Sequence, residues 1–312
     1  MRAEYNYFIQ AYESNNADIL SIIADEFDIA TEADSSTSAE INPANAVSDT
    51  VKSEESKSIE KTNLINKVIE KVKAFIKKIG EIFSSLSRKL SNRLRLMGET
   101  DKGFKKMYFK RKSMVKPYQN VRVISYKYKN SVLEQPVDKL LKDVVQCLDK
   151  LRAIEGTSNT NSRVSDIINA PQGKIIEVLL APYIKSNDTV LSVPDFIKYL
   201  TSEYRGEKTE ILYRDTQLGQ IEAEALNSTA AIATKCNGYL RQAQEAYNKI
   251  KVLEYQIKRS ETDTKVINLV ASNAAKAATL YNAYSALLHA YYELKIEQCL
   301  NYRIILKKFY QF

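Results

Sequence analysis

Tryptophan is absent, histidine occurs once, cysteine three times, and glycine and proline only 8 and 6 times in 312 residues. Each shortage excludes something. Scarce chain breakers, beside abundant Ala, Leu, Ile, Lys, Glu and Gln, argue against a many-turned β fold and predict long helices. Cys147, Cys236 and Cys299 are far apart, odd in number and form no CxxC pair, which supports neither a disulfide framework nor a zinc cluster. A reducing compartment is the expectation. With His289 as the single histidine, sites built on His and Cys, and Ser-His or Cys-His nucleophiles, lack material. His289 lies in "YSALLHAYYELK" and reads as a residue of a bundle core or its flank.

The glycines assemble neither GxxxxGK[ST] nor GxGxxG, so the familiar phosphate loops are missing. "SMVK", Ser113 to Lys116, matches SxxK without its partner motifs. Glu222 with Glu224, and Glu293 with Glu297, read as solvated helix faces. The amino terminus "MRAEYNYFIQAYESNN" has no signal-peptide core, and no run of 18 apolar residues occurs, so neither secretion by that route nor a membrane span is expected. No enzyme activity, cofactor or metal is expected.

What is present is charge, sorted by segment. The net +8 divides into 3 Lys/Arg against 13 Asp/Glu in residues 1–60, 20 against 4 in residues 61–130, and near balance thereafter.

The apolar pattern predicts a mostly α protein with six parts. Residues 1–30 hold short helices, "EYNYFIQAY" and "ADILSIIADEFDIA". Residues 31–58, acidic and poor in large apolar side chains, read as a disordered linker. Residues 59–97 form a basic amphipathic helix, and residues 98–133 a basic aromatic arm in which Pro117 breaks any helix and "VRVISYKYK" favours a short strand. Residues 134–206 read as a small helical region with a start signal at Pro194 and Asp195. Residues 207–312 predict a long antiparallel helical hairpin, interrupted at "KRSETDT".

The basic helix carries the strongest signal. Ile65, Val72, Ile76, Ile79, Phe83, Leu86 and Leu90 fall on one face at 100° per residue. Lys71, Lys73, Lys77, Lys78, Arg88, Lys89, Arg93 and Arg95 supply the charge, and Lys105, Lys106, Lys110, Arg111 and Lys112 continue it into the arm. Three readings stand. The apolar face packs on the rest of the protein while the lysines are solvated. Alternatively, residues 60–96 lie in a membrane interface with lysines on lipid phosphates. Or residues 61–130 neutralise DNA phosphates without sequence preference, with Phe and Tyr stacking on unpaired bases.

The order of parts, an acidic Ser/Ala/Glu-rich stretch near "FDIATEAD", then "KVKAFIKKIGEIF", then a helical body, resembles internal or structural virion proteins of large tailed bacteriophages over residues 17–130. The resemblance implies a head-associated protein of the virion, present in host cytoplasm before assembly, with other virion proteins and DNA or an anionic membrane as partners and room for a homo-oligomer. It also implies removal of a propeptide after a small residue, any residue and Glu, a pattern met at Glu32, Glu40 and Glu55. A peripheral ejection or host-membrane factor is the alternative.

Overall fold

The computed structural model describes residues 9–22, 50–152, 161–184, 192–259 and 264–312. Its elements are α1 (9–22), α2 (Thr50–Lys112), β1 (Asn120–Tyr126), α3 (Asn130–Leu151), α4 (Ser162–Asn169), α5 (Ile175–Leu180), α6 (Val193–Arg205), β2 (Lys208–Arg214), α7 (Leu218–Ile250), α8 (Val252–Arg259) and α9 (Thr264–Tyr310), with single 3-10 turns before α5, after it and before α7. The class is mostly α, as composition predicts.

The 47-residue helix α9 is the axis of the molecule. It has neither glycine nor proline, and it is apolar on nearly every side, the pattern of a helix surrounded by others. Ala271, Ala274, Ala275, Ala277 and Ala278 are buried and let neighbouring backbones approach. Just beyond these turns, Tyr281 and Tyr284 donate to the backbone carbonyls of Ala243 and Tyr239 on α7, each at 3.0 Å, so two buried hydroxyls are satisfied without another side chain. α2, α3, α7 and α8 pack around this axis, with α5, α6 and β1 also against it.

The predicted apolar face of α2 turns inward. Val72, Ile76, Ile79, Leu86 and Leu90 are buried with Val68, Phe75 and Ile82, while Ile65 and Phe83 are half-buried at its margin. Gly80 has a packing reason: a Cβ there would lie 2.6 Å from the Tyr247 hydroxyl, whose ring stacks on Phe83 with centroids 6.3 Å apart.

Several boundaries differ from the sequence reading. The basic helix does not end at residue 97. It runs to Lys112 because Met97, Phe104 and Tyr108 extend the stripe of Leu90 at intervals of seven, seven and four, and they are buried. The arm at 98–133 is thus replaced by the end of α2, the strand β1 and the first residues of α3. Residues 50–58 of the expected linker form the first turns of α2, and residues 31–49 lie outside the described residues, as do Glu32 and Glu40. Glu55 lies within α2, a helical setting rather than an extended one. Of the stretch expected to hold two short N-terminal helices, the described residues 9–22 form α1, with Tyr12 and Ile19 buried, and residues 1–8 and 23–30 lie outside the described residues.

The hairpin is present as α7, α8 and α9, but residues 208–214, expected to be helical, form a strand. β2 pairs antiparallel with β1, placing Val121 opposite Tyr213 and Val123 opposite Ile211. "EILY" reads as a strand once a partner exists, and Gly206, at φ 62°, supplies the left-handed turn between α6 and β2. The start signal of α6 is as predicted: Ser192 accepts from the Asp195 backbone N–H at 3.3 Å, with Pro194 in the first turn.

A second, smaller core closes the end of the molecule where α2 and α9 terminate. Phe104, Tyr108, Val121, Val123, Ile221, Ile305 and Phe309 belong to it.

Candidate anion-binding surface

The predicted cations divide into three groups. The first is held by the protein's own carboxylates. Lys73 pairs with Glu70 at 2.6 Å, Lys77 with Glu81 at 3.9 Å, Arg95 with Glu99 at 2.7 Å and Lys105 with Asp101 at 2.8 Å, all within α2. Lys78 meets Asp18 of α1, Arg93 reaches Glu293 of α9 at 3.2 Å, and Lys112 reaches Glu222 of α7 at 2.8 Å. Arg111 donates from Nε to the Tyr310 carbonyl at 3.1 Å.

A second group, Lys71 and Lys89, is half-buried on the flanks of the packed face. The third group faces solvent: Arg88, Lys106 and Lys110, joined by Lys102 and Lys116, which the sequence-based set omits. Among the described residues, these five side chains have no acidic partner.

Lys102, Lys106 and Lys110 are spaced by four and form one stripe on the outer side of α2. Like charges at that spacing destabilise a helix by about 0.2–0.5 kcal/mol per pair, and placement near the helix C-terminus offsets this only within the last turn. Lys110 sits in that turn; Lys102 and Lys106 do not. The spacing was visible in the sequence, and it is the signal by which Lys102 could have been found.

Around the stripe lie exposed apolar side chains: Met107 (51%), Phe109 (57%), Met114 (65%) and Tyr118 (50%). The opposite side of the same turns is fixed. Glu222 accepts from Tyr108, from Lys112 and from Tyr310, the last at 3.3 Å. Burial alone would raise the Glu222 carboxyl, but hydrogen bonds from Lys112 and Tyr108 outweigh it and hold the group below its ordinary range. Tyr108 is raised by burial and by the same carboxylate, so its hydroxyl remains a donor. The stripe is therefore presented on a rigid support rather than on a free arm.

The protein also has a cleft of about 360 Å³ between α3, α7 and α9. Its two lysines are already satisfied. Lys295 donates to Glu134 (2.8 Å), Gln298 (3.1 Å) and Asn130 (3.3 Å), using its three N–H groups, and Lys235 pairs with Asp138 at 3.0 Å. Lys235 also lies over the Tyr291 ring at 5.2 Å. These groups hold α3 to the hairpin.

No family model, curated protein or solved structure matches this chain. Among the described residues, no three His, Cys, Asp or Glu are placed to hold a metal ion, and no helix is long and apolar enough to cross a membrane. The cysteines are buried and separate, with burial pushing Cys147 and Cys236 up to about 12, so their thiols stay protonated. His289 is pushed down to about 3 by burial, then by Lys89 and Arg93, and is neutral.

Proposed function

We propose that this chain is a non-enzymatic helical protein, of the virion-associated kind its layout resembles, that attaches to a polyanion through the C-terminal end of α2. The observation that carries this reading is the stripe Lys102, Lys106 and Lys110, repulsive within itself and unpaired by the protein's own acids. Ammonium groups so arranged gain most when phosphates replace water and counterions beside them. Duplex or single-stranded DNA is the favoured partner, bound without sequence preference.

A second reading, an anionic lipid surface, is supported by Met107, Phe109 and Met114, which stand exposed among the lysines. The apolar face of residues 60–96 contributes to neither, because it is packed in the core. The test uses the full chain and its Lys102→Gln/Lys106→Gln/Lys110→Gln variant, assayed for retention on DNA and flotation with phosphatidylserine vesicles at low and high salt. Salt-sensitive DNA retention lost in the variant supports the first reading. Vesicle binding without DNA retention replaces it with the second, and binding of neither by the wild type removes both.

A further inference from the structure

The ribbon of β1 and β2 has one face covered and, along β2, an open edge. β1 lays Val121 and Val123 on the second core, whereas in β2 the residues Lys208, Thr209, Glu210, Leu212 and Arg214 are exposed. Leu212 (45%) and its diagonal neighbour Ile124 (66%) share the outer face. An edge strand of seven residues with no proline and no bulge is a template for another strand.

The phase of that template is fixed. Gln119 and Asp215 continue the ladder's register, and the Asp215 N–H donates to the Gln119 carbonyl at 2.9 Å. Hydrogen-bonded pairs therefore alternate through Val121 with Tyr213 and Val123 with Ile211. It follows that Lys208, Glu210, Leu212 and Arg214 direct their backbone N–H and C=O groups toward the open side.

We propose that β2 pairs antiparallel with β2 of a second copy, about a twofold axis through Leu212, giving a four-stranded sheet in the order β1, β2, β2, β1. Pleat and bond direction permit only registers that set even-numbered residues opposite even-numbered ones. Centring on Glu210 or Arg214 places like charges together, and centring on Ile211 sets Lys208 against Arg214. Centring on Tyr213 leaves Arg214 opposite Leu212, and centring on Thr209 pairs Lys208 with Glu210 but leaves Leu212 opposite Gly206, outside the strand. Centring on Leu212 alone sets Glu210 opposite Arg214 twice, with Leu212 against Leu212 between them; the Leu212 N–H and C=O, the Glu210 N–H and the Arg214 C=O gain partners, while the Arg214 N–H already donates to Gln217 Oε1 at 3.0 Å. Charges that normally keep an edge strand solitary here select one self-complementary, isologous pairing.

Sedimentation velocity of the full chain over a range of concentrations tests the pairing. The wild type is expected to pass reversibly from monomer to dimer. Leu212→Pro removes an N–H that only the second copy uses, since edge strands accept proline where the N–H faces solvent, and it is expected to abolish the dimer. Glu210→Arg sets arginines face to face and is expected to weaken the dimer at least about tenfold. Adding Arg214→Glu restores it. Glu210 also lies 3.7 Å from Arg122 of its own chain, but that contact is lost in the single and the double variant alike, so recovery isolates the contact between copies. A wild type that stays monomeric, a dimer that survives Leu212→Pro with its circular dichroism intact, or a double variant no better than Glu210→Arg would overturn the proposal. If Leu212→Pro perturbs the fold, the charge exchange decides.

Discussion

Arg303 of α9 and Asp101 of α2, 202 residues apart in the chain, form a buried ion pair where the two long helices and α7 meet. Arg303 also donates to Thr229 Oγ1 at 2.8 Å and to the Ala225 carbonyl at 3.2 Å, and its guanidinium lies 5.1 Å from the Phe104 ring centre. Asp101 takes Lys105 on its other oxygen at 2.8 Å. Each charge is thus matched, and the pair ties three helices together.

Removing one partner leaves the other charged and dry. Asp101→Ala is expected to cost about 3–5 kcal/mol, as for other broken buried pairs, and to lower the urea midpoint with little change in slope. The exposed pair of Lys77 and Glu81 gives the contrast: Glu81→Ala is expected to cost under about 1 kcal/mol in the same titration.

Two glycines of α2 should answer oppositely to the same substitution. Gly103 is exposed with nothing within 4 Å of an added Cβ, so Gly103→Ala gains helix propensity and is expected to stabilise by about 1 kcal/mol. At Gly80 the added carbon meets the Tyr247 ring, held between Phe83 and Lys251, whose ammonium lies 4.5 Å from its centre. Gly80→Ala is expected to lower the thermal midpoint, the crowding exceeding the propensity gain.

Acid stability carries two signatures. His289 takes a proton near 6.5 when unfolded and near 3 when folded, so its contribution is complete above pH 6.5 and is lost as pH falls from there toward 3. One such proton gives a slope of at most about 1.4 kcal/mol per pH unit, which His289→Gln should remove. Glu222, lowered on folding, adds stability above the ordinary glutamate range that disappears below it, and Glu222→Gln should flatten that lower window alone. Chemical denaturation at stepped pH separates the two.

Replacing Lys102, Lys106 and Lys110 by glutamine should change salt dependence as well as affinity. If each lysine neutralises one duplex phosphate, the slope of log K against log salt becomes shallower by about 2.7. Because the three side chains make no contact with the core, the thermal midpoint should stay within about 0.5 kcal/mol equivalent of the wild type or rise slightly.

The mostly helical class, the inward face of α2 and the start of α6 were legible in the sequence because each rests on local spacing or a local cap. The end of α2 was not legible because the lysines after residue 97 mask the stripe of Met97, Phe104 and Tyr108, which only packing makes decisive. β2 was hidden for a different reason. A strand of seven residues draws its stability from a partner some ninety positions away, and nothing in "KTEILYR" alone reports Val121 or Val123. The lysine stripe was readable as a charge run, but which cations are free depends on acids brought from α1, α7 and α9.

The placement of α9 also sets when the protein acquires its shape. α2, α3 and α7 all rest on a helix that leaves the ribosome after them, so each emerges with its apolar side uncovered until Thr264–Tyr310 has been made. Folding of the main body therefore waits for α9, and until it arrives the earlier segments keep apolar sides open to one another.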